Sequence, residues 1–261
     1  TAEGVDGLVP HMLADGVHFV GNVLLRGSST GADAVIDDAG VVLDGTTIDA
    51  GTGNVDVFGT GQQDVAGIIA NAGSIASAGG AVLFDGRSEG GDGVRMDGFG
   101  IASGGGDISI LGYGDGIGVY AEYADVDSGG GNIVVHGEGG TGNGVDMSAL
   151  LASGGGDISV YGSSTDAAGL VFGDGYYAGM TSSGGDIELE GHGATGGVAL
   201  YAGSYGSSAI DSGGGDITVT GTASAAGAIG VYSDGVDLIG GAGDVTVDGS
   251  APSGIGILLA N

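Results

Sequence analysis

The chain contains no cysteine and no tryptophan, and only two prolines in 261 residues. Its three basic side chains are all arginine (Arg26, Arg87 and Arg95), so lysine is missing altogether. Each absence excludes something. Without cysteine there is no disulfide framework, and thiols say nothing about the redox compartment. Without lysine there is no Walker-type phosphate loop, no Schiff base and no lysine general base. Scarce proline, with no glycine at every third position, excludes a collagen helix. No apolar run reaches the roughly 18 residues of a membrane-crossing helix. The start, Thr1-Ala2-Glu3, does not read as a signal peptide, which implies a removed leader or an excised segment.

What is present is acid and glycine. Thirty-three acidic residues give a formal net charge of -30. A surface of that sign is repelled by nucleic acid and anionic lipid, and its self-repulsion is tolerable in cation-rich surroundings. Glycine accounts for 66 residues, yet 41% of the chain is hydrophobic and recurs in register, so a disordered linker is excluded.

The register is a repeat. Ser103-Gly-Gly-Gly-Asp107-Ile108-Ser-Ile110-Leu-Gly112 returns at Ser128 to Gly137, Ser153 to Gly162, Ser182 to Gly191 and Ser212 to Gly221, with weaker copies ending at Gly27, Gly59, Gly86 and Gly249. The residue before the first aliphatic marks each copy: Asn22, Asn54, Ala81, Asp107, Asn132, Asp157, Asp186, Asp216 and Asp244. About 12 residues on, a glycine precedes a second aliphatic ladder: Val41, Ile68, Val94, Val119, Val145, Leu170, Val198, Val231 and Ile257. A third ladder runs through Ile48, Ile75, Ile101, Val126, Leu151, Met180, Ile210 and Leu238. Ile108 and Ile110 alternate with Ser109, the period of a strand with one buried face.

Three strands per coil, joined by glycine-rich turns, predict a right-handed parallel β-helix of about nine coils of roughly 27 residues. At about 4.8 Å per coil, the rod is about 40 Å long. Residues 22–261 form this solenoid, and residues 1–21 a partial coil or contact region. The stretches Phe172 to Ser182 and Tyr201 to Ser212 read as protruding loops.

Candidate sites follow from that register. Asp107, Asp157, Asp186, Asp216 and Asp244 line one edge, where unscreened carboxylates repel by roughly 0.9 kcal/mol per pair in water. Weak calcium binding would relieve this. The competing reading gives each side chain a backbone N–H to accept from, and Asn54, Asn132 and Ala81 at equivalent positions favour it. Calcium-binding nonapeptide repeats are excluded by the period. His11, His18, His136 and His192 show no metal-ligand spacing. Asp37-Asp38 and Gly191-His192-Gly193 echo polygalacturonase motifs but lie too far apart, and lysine is absent. Among nine tyrosines, Tyr176, Tyr177 and Tyr205 in the irregular loops are the expected contact surface, for sugar rings or for another rod. The apolar stretch Ile257-Leu258-Leu259 and, at the start, Val5 are the expected assembly ends.

The copies S-G-G-G-D-I-x-V-x-G followed by G-I-G-V-Y resemble the repeats of giant bacterial exoproteins and adhesins of the filamentous-haemagglutinin and autotransporter kind, from about Asn22 to Asn261. The resemblance implies a secreted, cell-surface β-helical rod acting in adhesion or filaments. The expectation is therefore a non-enzymatic rod that assembles with itself and contacts surface polysaccharide. A carbohydrate-active β-helix and a trimeric phage spike are the alternatives.

Overall fold

The computed structural model describes residues 17–18, 21–30, 39–173, 178–202 and 208–260. Every regular element among them is a strand, and the strands stack in parallel as a β-solenoid of about eight turns, close to the nine coils expected. The nine strands of the first sheet bound those turns, from Val23–Ser29 to Val245–Ser250.

Glycine and β-branched residues explain why strands form. Glycine in a helix interior costs about 1 kcal/mol relative to alanine, whereas valine and isoleucine suit a pleated, half-buried surface. In the strand Ile108–Gly114, Ile108, Ile110 and Gly112 turn inward, while Ser109, Leu111 and Tyr113 are half-buried on the outer face. Every first-ladder aliphatic pairs with its counterpart: Val23 with Val55, Val55 with Val82, and onward to Ile217 with Val245. The second ladder pairs in the same way from Val41 to Ile257, and the third from Ile48 to Leu238. All three registers read from the sequence are those of the fold.

The second and third ladders are not separate sheets. They merge into one 16-stranded sheet, because Val119–Asp127 and Val145–Ala152 each run as one strand through both. A register shift between Glu122 and Asp125, with Tyr123 at φ 53°, bends the chain where the two ladders meet. The cross-section is thus one sheet packed against a second, bent one.

Their inward residues form a single continuous core from Val23 to Val231, including Phe84, Met96, Phe99, Ile110, Met147 and Phe172. No coil buries its apolar face alone, so this core exists only by stacking. The corner between the first and second strands of a coil is a glycine pair. A Cβ built on Gly112 would lie 2.0 Å from the Gly118 carbonyl oxygen, and one on Gly118 2.4 Å from the Glu138 nitrogen. That close approach explains the glycine before each second-ladder aliphatic.

The turn Ser103-Gly-Gly-Gly-Asp107 needs glycine for a different reason: Gly104 and Gly105 take φ of +63° and +117°. Its serine is interior. Ser103, Ser128, Ser153, Ser182 and Ser212 are fully buried. Each hydroxyl reaches a carbonyl three residues on and a carbonyl in the next coil, as Ser128 does to Gly131 and, at 3.1 Å, to Ser153. Among the described residues no buried side-chain nitrogen or oxygen lacks a partner.

Candidate functional site

The acidic edge is a hydrogen-bonded column. The N–H of Asn132 donates to Asp107 Oδ1 at 2.8 Å, that of Asp157 to Asn132 Oδ1 at 2.9 Å, and that of Asp186 to Asp157 Oδ1 at 2.9 Å. Asp216 and Asp244 continue it, each donating at 2.8 Å to the aspartate one coil earlier. Nearer the start, Asn22 Oδ1 accepts the Asn54 N–H and Asn54 Oδ1 the Ala81 N–H, each at 3.0 Å. Asparagine and aspartate serve alike because the acceptor is one oxygen that both possess. Among the described residues no group of three or more histidine, cysteine, aspartate or glutamate side chains is arranged to hold a metal ion.

The outer face of the first sheet carries a ring strip that crosses five coils. The Arg87 guanidinium lies 4.6 Å from the Tyr113 ring centroid, and Tyr113 lies 5.7 Å from His136. His136 stacks on Tyr161 at 4.6 Å and 27°, and Tyr161 meets His192 at 5.7 Å. His136 and His192, two coils apart, are therefore bridged by Tyr161. Each imidazole sits beside a carboxylate two residues away on its own strand, His136 Nε2 at 3.1 Å from Glu138 and His192 Nε2 at 2.7 Å from Glu190. His136 and Tyr161 are paired rungs of one column and Tyr113 and His192 lie in the neighbouring one, so the strip steps between two columns over coils about 4.8 Å apart. Sequence reading missed this strip; counting four or six residues from each marker would have found it.

All three arginines are spent in the same way. Arg26 lies 5.2 Å from the Phe58 ring centroid, and Arg95 lies 5.3 Å from that of Tyr120, one coil on. Arg87 also donates to both Asp85 oxygens, at 2.9 and 3.3 Å, which raises its pKa above the usual arginine value although its partial burial opposes this. On the second-ladder face the Tyr120 hydroxyl donates to Glu122 at 2.7 Å. Its pKa is pushed up to about 12, first by burial and then by that bond.

The expected contact tyrosines Tyr176, Tyr177 and Tyr205, and Val5, lie outside the described residues, as do His11 and Asp37-Asp38, while His18 ends the short strand Val17–His18 and pairs with Asp49. The expected apolar end is in view. Ile255, Ile257 and Leu259 are 47%, 42% and 69% exposed, and Val245 is 45% exposed, whereas its counterpart Ile217 is fully buried. Leu258 points outward and is half-buried. At the other end of the rod Val23 and Ile48 are buried. No helix among the described residues is long and apolar enough to cross a membrane. No protein-family model, curated protein or solved structure matches the chain.

Proposed function

We propose that the chain is a secreted structural rod of adhesive type that extends by stacking, its last described coil presenting an apolar surface for a further coil or a second copy. The observation that carries this reading is the set of core positions exposed there: Val245, Ile257 and Leu259 continue ladders that are buried in the preceding coils wherever they hold a large aliphatic. The unpaired edge of the strands Val245–Ser250 and Ile255–Ala260 adds backbone donors and acceptors that a further coil would satisfy. Two copies of the chain joined through this surface pair about a two-fold axis, the closed arrangement that self-complementary surfaces favour. Engagement of all three arginines by neighbouring rings supports a structural use of the few cations rather than a catalytic one.

Sedimentation velocity with electron imaging tests this. The purified chain should form a rod of doubled length, and Leu259→Glu should return it to single rods with an unchanged circular dichroism spectrum. Added salt should strengthen pairing, because it screens the repulsion between two chains of net charge -30. Single rods at the highest soluble concentration in high salt would sink the proposal.

A further inference from the structure

One coil of the second-ladder face lacks its outer rungs. In the column Val171, Ala199, Tyr232 the middle residue is small, and in the adjacent column Ala168, Gly196, Ile229 the middle residue has no side chain. A Cβ on Gly196 would meet nothing closer than 3.7 Å. The result is a hollow one coil tall, floored by Gly196 and Ala199 and walled by Val171 on one side and Tyr232 with Ile229 on the other. Thr195 and Tyr201 close its two ends.

The walls belong to coils two steps apart, about 9.6 Å at the usual strand spacing. A flat ring in contact with both walls requires about 7 to 8 Å between wall atoms, less than the separation of the two wall strands. The Tyr201 and Tyr232 rings lie 5.4 Å apart at 56°, so the hollow meets two aromatic surfaces at an angle. Its rim is polar: the Tyr232 hydroxyl approaches Asp234 Oδ2 at a long 3.4 Å, and Thr195 adds an exposed hydroxyl. The apolar walls, phenol groups and carboxylate suit a ring with an apolar face and a hydroxyl-bearing edge. The charge of -30 disfavours an anionic one.

We infer that the slot over Gly196 and Ala199 binds a neutral pyranose unit, inserted between Val171 and Tyr232, as the sugar-contact site of the rod. This site stands on its own geometry and does not depend on the stacking of rods.

Saturation-transfer NMR on the full chain with methyl glycosides of glucose, galactose and mannose tests it. At least one should bind in the millimolar range. Ala199→Val, which refills the missing rung, and Tyr232→Ala, which removes a wall, should each weaken binding about tenfold or more, the loss expected for a filled or opened pocket. Tyr161→Ala, on the other sheet, should leave binding unchanged, and melting curves establish that every variant is folded. Failure of all three glycosides to bind overturns the inference, as does binding that survives both slot variants. Binding of p-cresol in their place would reassign the slot to an aromatic side chain of a partner protein.

Discussion

The Asp107 carboxylate accepts the backbone N–H of Asn132 at 2.8 Å, so a side chain of one coil closes the turn of the next. The same bond recurs along the edge and is interrupted where Ala81 offers no oxygen to Asp107. Asp157→Asn should preserve stability, because the accepting oxygen remains and one charge leaves a column of like charges. Asp157→Ala should cost about 1 kcal/mol, the worth of one such bond. Ala81→Asn should gain a similar amount by completing the column. Denaturant midpoints for the three variants check this, and an Asp157→Asn loss equal to that of Asp157→Ala would show that charge rather than the bond matters.

The glycines divide into two kinds that substitution should separate. Alanine at Gly112 would drive its Cβ against the Gly118 carbonyl at 2.0 Å, where both partners are backbone and cannot give way. A loss of about 3 kcal/mol or more is expected. Alanine at Gly105 meets no atom within 4 Å and costs only the strain of φ +117°, about 1 to 3 kcal/mol. Thermal unfolding of the two variants should rank them in that order.

The three aliphatic ladders were legible because each inward residue repeats its own chemistry at each coil, as Val55, Val82 and Ile108 do. The hydrogen-bonded edge was legible too, because Asn132 among the aspartates keeps the accepting oxygen. Burial of Ser103 was not legible. A serine beside three glycines reads as an exposed turn, and only the carbonyl of Ser128 in the next coil shows that it is enclosed. The slot over Gly196 and Ala199 was hidden for a related reason. Small residues are everywhere in this chain, and these two matter only because Val171, Ile229 and Tyr232 on neighbouring coils are larger. Such features belong to the stacking of coils and not to any one repeat.

The serine column should be as intolerant as the aliphatic core. Ser153→Ala removes the donor that serves the carbonyls of Gly156 and Ser182 inside the turn, leaving buried acceptors unmatched. The expected loss is about 1 to 3 kcal/mol, against little for alanine at the half-buried outward Ser159. Hydrogen exchange at Gly155 and neighbouring amides should rise in the first variant and stay at the parent level in the second. Equal effects would argue against a structural serine column.

Tyr120 gives the fold a measurable alkaline limit. Its hydroxyl donates to Glu122, and burial together with that bond lifts its pKa from the ordinary 10.0 to about 12. The neutral phenol is the form that the folded state favours. The stabilisation is therefore complete below the unfolded value near pH 10 and is lost as pH rises through about 12. Phenolate absorbance of the parent minus Tyr120→Phe isolates this group among the nine tyrosines. Glu122→Gln should bring the titration back toward 10, since it removes the negative charge and weakens the bond that opposes ionisation. The Arg95 guanidinium over the same ring pulls the other way, so Arg95→Gln should raise the titration further. A Tyr120 signal titrating at the ordinary value in the parent would contradict the contact geometry between Tyr120 and Glu122.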